Sequence, residues 1–414
     1  MSFRDKVTLD EVCSLIADCP HSTPVWTESG YLVIRNQNIK NGKLDLADRS
    51  YTDHEHYLIR IRRAKPQFGD LILTREAPMG EVCMIPNGLE CCVGQRQVLL
   101  RPNTEKVVPR FLLYAIQSPE VQHEISWNEG TGSTVSNIRI PVLKNLQVPL
   151  LPLKQQKEIA TFLGALDDRI ALLRETNATL EAIAQALFKS WFVDFEPVHA
   201  KARGESPQGM DDTTATLFPD SFEESELGMI PKGWRVGELQ DLLVLQRGFD
   251  LPASKRVDGE FPLVAASGPN GTHNIAMARA PGIVTGRSGV LGKVFLVLED
   301  YWPLNTTLWV KEFKRATPSY AYEIMRRLDF ASFNAGSAVP TLNRNHVHSL
   351  KYLQPPSDLI QAFESIAILQ HQRAFANSKQ AQTLAQLRDT LLPKLISGQL
   401  RLPEAEELLA EELP

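Results

Sequence analysis

Four sets of residues have the types found in catalytic or metal sites, and none of them makes a convincing motif. The segment GRSGVLGKV, residues 286–294, has the glycines and lysine of a phosphate-binding loop. However, Arg287 stands where the first glycine is required, and Val294 replaces the Ser or Thr that would bind magnesium. The segment is therefore interpreted as a glycine-rich turn between strands.

A metal-dependent nuclease is the enzymatic alternative. Asp300, Glu312 and Lys314 supply the carboxylates and lysine that such nucleases use, but this combination occurs by chance in most chains of this size. His346 and His348 lie on one face of a possible strand without an acidic or cysteine partner nearby. Zinc needs three or four such ligands, so a metal site is not predicted.

A methyltransferase loop is also incomplete. Gln354-Pro355-Pro356-Ser357 has the two prolines of the loop that transfers methyl groups to base amines, but neither flanking residue. The two prolines fit the stop between a strand and a helix better. We predict no catalytic residue, no metal and no cofactor in this chain.

Basic and amide side chains are more informative, because arginine pairs with guanine and asparagine with adenine in the major groove. In the first half of the chain the candidate DNA-binding residues are Asn36, Asn38, Arg60, Arg62, Arg63, Lys65 and Arg75. In the second half they are Arg247, Lys255, Arg256, Arg287, Asn343 and Arg344. The alternative for about half of them is a solvated surface, and lysines would at best position phosphates.

Net charge does not exclude a polyanionic partner. The sum is −5, but residues 197–230 and 401–414 carry most of the acidic excess, whereas residues 231–353 have 15 basic and 10 acidic side chains. Local charge, rather than the sum, determines the field that DNA experiences. The composition therefore permits DNA binding without requiring it.

The chain repeats itself with an offset of 204 residues. Gly132-Ser133-x-Val135 returns as Gly336-Ser337-x-Val339, and Leu146 returns as Leu350. A weaker match aligns Arg75 with Arg287. Repeats of this length predict two similar halves related by an approximate two-fold axis, and such a protein would read a bipartite target.

A heptad pattern begins at Leu153. The predicted segments are a globular domain (1–152), a long spacer helix (153–196), an acidic linker (197–230), a second globular domain (231–353), a second spacer helix (354–400) and an acidic tail (401–414). The predicted fold class is α+β, with two similar mixed α/β domains separated by two long antiparallel coiled-coil helices.

The predicted contact between the helices follows the heptads. Its members are Ile159, Leu163, Leu166, Ile170, Leu173, Leu180, Leu187, Trp191, Phe363, Leu384, Leu391 and Leu395. The second helix also brings Gln370, Asn377 and Arg388 to these positions, which indicates either an imperfect pairing or a different register.

Other features are typical of a cytoplasmic protein. No apolar run approaches the roughly 20 residues of a membrane span. The five cysteines, all in the first quarter, are odd in number and lack a C-x-x-C spacing, so reduced thiols are expected.

Four segments resemble the specificity subunit of Type I restriction-modification systems. They are LKQQKEIATFLGALDDRI, LFKSWFVDFEPV, PKGWRVGELQDLL and LRDTLLPKLISGQL. The resemblance covers nearly the full chain and is strongest in the helices, while the globular domains, which vary between family members, match weakly.

The resemblance implies two target-recognition domains, each reading half of a split site in double-stranded DNA, and helices that set the unread spacer. It implies docking of two methyltransferase subunits, which carry S-adenosylmethionine, and of restriction and translocase subunits, which use ATP and magnesium. The chain itself would have no catalytic activity. The non-enzymatic alternative is a coiled-coil interaction scaffold.

Overall fold

The computed structural model describes residues 6–127, 137–330 and 341–412. The chain forms two compact units: unit 1 comprises Met1–Ala171 and Ala381–Pro414, and unit 2 comprises Leu172–Gln380. Both copies of the repeated Gly-Ser-x-Val motif lie outside the described residues. Among the described residues, no helix is both long and apolar enough to span a membrane.

The elements of unit 1 mix short strands and short helices. Its strands are β1 (Lys6–Thr8), β2 (Cys13–Asp18), β3 (Trp26–Thr27), β4 (Tyr31–Ile34), β5 (Ile39–Lys40), β6 (Lys43–Leu44), β7 (Ser50–Thr52), β8 (Leu71–Thr74), β9 (Val82–Met84), β10 (Cys91–Val93), β11 (Gln97–Pro102) and β12 (Gln147–Pro149). Its short helices are α1 (Leu9–Val12), α2 (His54–Ile61), α3 (Pro109–Gln117), α4 (Pro119–Trp127) and α5 (Ile140–Lys144).

A long helix, α6 (Leu153–Phe192), leads from unit 1 into unit 2. The next elements are α7 (Glu196–Ala202), α8 (Asp212–Thr216), β13 (Phe222–Ser225), β14 (Gly228–Pro231), β15 (Arg235–Glu238), β16 (Leu243–Arg247), β17 (Phe261–Ala265), β18 (Gly268–His273), β19 (Gly282–Gly286), β20 (Val294–Val297), β21 (Trp302–Pro303), β22 (Thr307–Phe313), α9 (Pro318–Arg327), α10 (Arg344–His348) and β23 (Lys351–Gln354). The second long helix, α11 (Ser357–Ser397), returns to unit 1 and is followed by α12 (Leu402–Glu412).

The two units contain the same central sheet. Antiparallel strands are ordered β2-β11-β8-β9 in unit 1 and β16-β22-β19-β20 in unit 2. A two-stranded ribbon, β1-β12 or β15-β23, precedes each long helix, and a second small sheet in each unit contains one parallel pair. The sequence repeat therefore corresponds to a repeated strand topology.

One helix covers this sheet in each unit. In unit 1, α3 begins with Pro109 at its first turn, where a missing N–H costs nothing. Its side chains from Phe111 to Ile116 are buried in the same apolar cluster as Leu71 and Val98 of the sheet. In unit 2, α9 has the same position in the chain and packs against β19 and β20. Burial of these apolar faces drives the packing of helix on sheet.

The long helices pair within each unit. In unit 1, Ile159 and Leu163 from the start of α6 share a core with Leu391 and Leu395 from the end of α11. In unit 2 the order is reversed, since the end of α6 packs on the start of α11 through Trp191 and Phe363, whose ring centroids are 6.3 Å apart. The helices are therefore antiparallel, and the predicted α+β fold class is confirmed.

The predicted linker at 197–230 is wrong, because this segment is folded. It contains α7, α8 and the hairpin β13-β14, and its apolar residues Val198, Phe218 and Ile230 are buried in the core of unit 2. Phe218 meets the edge of the Trp191 ring, with centroids 5.3 Å apart. The segment has few apolar residues among many acidic ones, so its composition predicted a linker. The burial of these few apolar side chains is nevertheless sufficient to hold the segment against unit 2.

The ends of the long helices also differ from the predicted bounds. The first helix stops at Phe192 rather than 196, and Phe195 adopts a left-handed conformation with φ of 52°. The acidic tail is not free either, because α12 buries Ala405 in the core of unit 1.

The five cysteines are free thiols, as predicted. Burial raises the pKa of Cys83, Cys91 and Cys92 to about 12, so these thiols are protonated at neutral pH and are poor nucleophiles.

Candidate nucleic-acid interface

Arg75 and Arg287 occupy the same place in the two units, immediately beyond β8 and β19. The carbonyl oxygen of Arg75 accepts a hydrogen bond from the Ile138 N–H at 3.1 Å, and that of Arg287 accepts one from the Leu342 N–H at 2.8 Å. This correspondence bears out the weak sequence alignment of the two arginines. The end of the central sheet beyond β8 in unit 1 is therefore equivalent to the end beyond β19 in unit 2.

The side chains around these arginines differ. In unit 1, Arg75 is 8% exposed and its Nη1 donates to Asp18 Oδ1 at 2.7 Å, while Nε donates to the Ile138 carbonyl at 3.0 Å. Arg75 is therefore committed to a closed ion pair. Its Nε and Nη1 therefore have protein partners, and its contact with DNA stays a prediction.

In unit 2 the position of Asp18 is occupied by Arg247. Asp18 lies opposite Val98 in the β2-β11 ladder, and Arg247 lies opposite Leu308 in the corresponding β16-β22 ladder. Arg247 is exposed, and its Nη2 donates to Oδ1 and Oδ2 of Asp250 at 2.9 and 3.1 Å. Unit 2 thus presents an accessible arginine where unit 1 has a carboxylate.

Further contacts stabilise this end of unit 2. The Asn305 side chain donates to Asp250 Oδ1 at 2.5 Å, and the backbone carbonyl of Asn305 accepts a hydrogen bond from Arg287 Nε at 3.2 Å. The Arg287 N–H donates to the Thr306 carbonyl at 2.8 Å. We refer to Arg247, Asp250, Arg287 and Asn305 as the unit 2 arginine cluster.

Unit 1 has a polar cleft at its corresponding end. The cleft has a volume of about 460 Å³ and is lined by Pro24, Trp26, Arg35, Asn36, Gln37, Ala77, Pro78, Gln95 and Arg96. The Arg35 guanidinium lies 5.1 Å from the centre of the Trp26 ring, and Trp26 is 46% exposed. An exposed aromatic ring, forked donors and amides are the groups that contact nucleic acid bases.

The amides of this cleft are held by neighbouring loops. Gln95 Nε2 donates to the carbonyl of His21 at 2.6 Å and to Thr23 Oγ1 at 3.0 Å. Asn36 Nδ2 donates to the Glu76 carbonyl at 2.6 Å, while its Oδ1 is buried without a hydrogen-bond partner among the described residues. Fixed amides reduce the conformational entropy lost when a ligand binds.

Arg60 does not lie on this surface. It is 4% exposed, and its guanidinium donates to the carbonyl oxygens of Val93, at 3.0 Å, and Ser22. Burial lowers its pKa. The predicted DNA contact is wrong because the buried Arg60 joins α2 to the end of β10 and to the loop that contains Ser22.

Asn38 is likewise structural. It is 2% exposed, and its Nδ2 donates to the carbonyls of Asp45 at 2.9 Å and Asp48 at 2.7 Å. Its Oδ1 accepts the Arg35 N–H at 2.9 Å. The prediction is wrong at Asn38, although this contact fixes the backbone next to the cleft residue Arg35.

The remaining candidates of unit 1 are exposed around α2. Arg62 and Arg63 are exposed at its end, where Arg63 Nη1 donates to the Asp18 carbonyl at 3.0 Å. Lys65 pairs with Glu90 at 2.8 Å. Their contact with DNA stays a prediction.

In unit 2, Asn343 and Arg344 are exposed at the start of α10, directly after the residue that bonds to Arg287. Asn343 Oδ1 accepts the Asn345 N–H at 3.0 Å and so caps this helix. Lys255 is exposed and Arg256 half-buried in the segment between β16 and β17. For these four residues DNA contact also stays a prediction.

The rejected catalytic motifs have structural roles. The loop 286–294 joins the antiparallel strands β19 and β20, and a Cβ at Gly286 would lie 1.8 Å from the Val290 carbonyl oxygen. Only glycine fits such an approach.

The nuclease candidates are not assembled into a site. Asp300 pairs with Arg279 at 2.7 Å, and the hydrogen bond from the Ala280 N–H lowers its pKa. Within the described ranges, no three His, Cys, Asp or Glu side chains are grouped to hold a metal ion. His348 Nε2 instead accepts the Leu245 N–H at 2.8 Å.

Most predicted members of the helix contact are buried. They are Ile159, Leu163, Leu166, Ile170, Leu173, Trp191, Phe363, Leu384, Leu391 and Leu395, whereas Leu180 and Leu187 are half-buried. Near the end of α6, Ala184 and Phe188 occupy the contact instead of Leu187. This shift follows from the 3.6-residue helical turn, which drifts relative to a strict heptad.

Two of the three polar residues at heptad positions of the second helix, Asn377 and Arg388, bond to side chains of the first helix. Arg388 Nη1 donates to Asp167 Oδ1 at 2.6 Å in unit 1, and Asp167 also accepts the Tyr114 hydroxyl at 2.7 Å. Asn377, which is 3% exposed, bonds to Asn177 in unit 2. These contacts make the pairing specific rather than imperfect.

The sequence interpretation missed Trp26, Arg35, Gln95 and Arg96 in unit 1, and Asp250 and Asn305 in unit 2. These residues are far apart in the chain and meet only at strand ends. The alignment of Arg75 with Arg287 could have pointed to these residues, because it locates the strand ends around which their loops lie.

Comparisons with known proteins give one family. Residues 4–182 match the family model described as the Type I restriction modification DNA specificity domain. The Type I restriction enzyme MjaIX specificity subunit of Methanocaldococcus jannaschii is 26% identical over 81% of this chain and 78% of its own length. The HindI specificity subunit of Haemophilus influenzae is 24% identical over 80% and 86%.

The fold is also similar to a solved structure. The Type-I restriction-modification system S subunit from M. genitalium superposes with a TM-score of 0.61 and 18% identity, covering 94% of this chain and 95% of the other. The matched domain and the two relatives make this chain similar to the specificity subunits of Type I restriction enzymes, and the S subunit from M. genitalium shares its fold.

Proposed function

We propose that this chain is a non-catalytic recognition subunit whose two units each read one half of a split DNA target. The observation that supports it most directly is the shared sheet topology with different side chains at corresponding positions, such as Asp18 and Arg247. A repeated scaffold with different surface groups would recognise two different half-sites. Direct readout depends on such groups rather than on the backbone.

The helix pair would set the distance between the half-sites. Helices α6 and α11 have 40 and 41 residues, and their contacts continue within both units. Paired helices resist bending more than a flexible linker does, so they favour one spacing over others. In dimeric DNA readers, half-site spacing is likewise fixed by protein geometry.

Methyltransferase subunits would dock on the helices. In unit 2, α6 exposes Leu172 and Ile183, and α11 exposes Leu369, with 53%, 46% and 60% of each side chain accessible. Exposed apolar side chains on otherwise polar helices suit burial by a partner protein. The partner would bind S-adenosylmethionine, and restriction subunits would supply the ATP-dependent and magnesium-dependent steps.

Single-molecule methylation sequencing of the host genome with and without this gene tests the proposal. Loss of one split, adenine-methylated motif is expected, and it would give both half-sites and the spacer. The same methylome in both strains, while the methyltransferase is expressed, would contradict the proposal. Methyl transfer by the isolated chain would contradict its non-catalytic role.

A further inference from the structure

We propose that Arg247 reads a guanine in the half-site of unit 2, and that Asp250 and Asn305 position its guanidinium. This inference rests on the DNA-recognition function proposed above and assigns a base and residues to it.

The first argument is accessibility. Arg247 and Asp250 retain 49% and 61% of their side-chain exposure, so both can reach a ligand in the groove. Arg247 is the last residue of β16, beyond which the chain turns. The Gly248 N–H donates to the Thr307 carbonyl of β22 at 3.1 Å, and the Phe249 N–H donates to the Pro303 carbonyl of β21 at 2.8 Å, so the turn is fixed. The arginine therefore extends from a rigid base.

The second argument concerns the free donors. Of the Arg247 nitrogens only Nη2 donates to Asp250, and in the part of unit 2 that the structure describes no hydrogen bond engages Nη1 or Nε. A guanidinium has five N–H groups, so donors remain for a ligand. Asn305 holds Asp250 in turn at 2.5 Å, and a held carboxylate restricts the rotamers of Arg247.

The third argument is chemical selectivity. Guanine presents two acceptors, O6 and N7, in the major groove, and the forked donors of arginine match them. Adenine offers a donor at one of these positions, which the all-donor guanidinium cannot accept. A phosphate would also accept from arginine, but it would not distinguish one base pair from another.

The contrast with unit 1 supports a specificity role. At the corresponding strand position of unit 1 the side chain is a carboxylate, Asp18, which is paired with the buried Arg75. A residue needed only to support the shared sheet would have the same chemistry in both units. The difference identifies Arg247 as a group that distinguishes the two half-sites.

The test uses the complex of this chain with its methyltransferase and duplexes of the methylated target in which each base pair is changed singly. Arg247→Lys keeps the charge and loses the fork. We expect its preference for one G·C pair in the unit 2 half-site to fall on the order of ten- to a hundred-fold. Preference at every other position and affinity for unrelated DNA should stay unchanged.

Asp250→Asn is the second variant, since it keeps the size of the side chain and removes the charge that holds Arg247. It should weaken preference at the same base pair by less than Arg247→Lys does. Arg203→Lys is the matched control, because Arg203 is another exposed arginine of unit 2 held by a carboxylate, Glu205 at 2.7 Å. We expect it to leave all preferences unchanged.

The outcomes separate the two proposals. A uniform loss of affinity for all sequences, or unchanged preference in both Arg247→Lys and Asp250→Asn, would overturn the role of Arg247 and leave the recognition function intact. A wild-type complex that methylates no split target would overturn the recognition function itself. Thermal melting of each variant excludes misfolding as the cause of a loss.

Discussion

Asn377 Nδ2 donates a hydrogen bond to Asn177 Oδ1 at 2.9 Å, joining α11 to α6 within unit 2. Asn177 Nδ2 in turn donates to the Ala374 carbonyl at 2.9 Å and to Ser378 Oγ at 2.9 Å. This pair replaces an apolar contact in the middle of the heptad pattern. A buried asparagine pair costs stability relative to leucine but favours one register of a helix pair.

Replacing one member should therefore cost more than replacing both. Asn377→Leu removes the donor to Oδ1 of the half-buried Asn177, so the free energy of unfolding should fall by about 0.5–1.5 kcal/mol. The double variant Asn177→Leu with Asn377→Leu should recover most of this loss. Urea denaturation followed by tryptophan fluorescence measures both.

Gln372→Leu, an exposed change on α11, is the control and should shift stability by less than about 0.5 kcal/mol. If Asn377→Leu were as stable as the wild type, the asparagine pair would have no role in holding the register.

Arg60 should matter for folding rather than for sequence choice. Arg60→Ala removes the donors to the buried Val93 carbonyl and to the Ser22 carbonyl, and the free energy of unfolding should fall by about 2–3 kcal/mol. Arg62→Ala, two residues away and exposed, should leave stability nearly unchanged. Denaturation curves check this difference. If the Arg60→Ala chain folds but its complex recognises an altered target, Arg60 would have a role in DNA recognition and not only in folding.

The cleft of unit 1 should determine recognition of the other half-site. Trp26→Ala removes the ring beneath Arg35 and part of the cleft wall, so binding of the target by the assembled complex should weaken by about 1–3 kcal/mol. Gel-shift titration at fixed salt measures the change. Trp127→Ala, another tryptophan of unit 1 that is 80% exposed, is the control. Equal effects of the two changes would argue against a specific cleft.

Acid should destabilise unit 2 through His348. Burial, followed by the charges of Arg344 and Lys314, lowers the pKa of this imidazole from its ordinary 6.5, and Nε2 accepts the Leu245 N–H at 2.8 Å. Below pH 6.5 the unfolded state binds the proton first, so the free energy of unfolding falls as the pH decreases toward the folded-state pKa.

His348→Gln supplies an acceptor that does not titrate, and it should flatten this dependence between pH 7.5 and 5.5. His346→Gln, on the exposed side of the same helix, should keep the wild-type profile. Urea titrations at several pH values make the comparison. If the free energy of unfolding depended on pH in the same way in the wild type and in His348→Gln, His348 would not be the cause of the acid destabilisation.

Patterns with a fixed period were predictable from the sequence. The heptads predicted both long helices, because this signal is local. The repeat located corresponding strand ends through Arg75 and Arg287. The fold class followed from these observations.

Long-range polar contacts were not predictable. Arg60 and Arg62 belong to the same basic run, yet one is buried and the other exposed, because only the fold brings the carbonyl of Val93 to Arg60. The same reason explains Asp250, whose importance depends on Asn305, 55 residues later. The composition of residues 197–230 also led to a wrong prediction, that of a linker. Three apolar side chains of this segment are buried in the core of unit 2, and this burial folds the segment despite its acidic excess.

The role of the helix pair in spacing can be tested at the level of the asparagine pair. Seven residues inserted after Asn177 and seven after Asn377 would keep each apolar face in phase and lengthen both helices by about 10 Å. Because base pairs are about 3.4 Å apart, the unread spacer should grow by about three base pairs. Methylation of a library of targets with different spacers measures the preferred length.

Four residues inserted after Asn177 alone are the contrasting change. They rotate the rest of α6 by about 40° beyond a full turn and separate Asn177 from Asn377, so methylation should be lost for every spacer. A folded double insertion that still prefers the original spacer would exclude the helices as the determinant of length. The distance between the half-sites would then depend on the recognition units and on the bending of DNA, whose cost varies with sequence rather than with helix length.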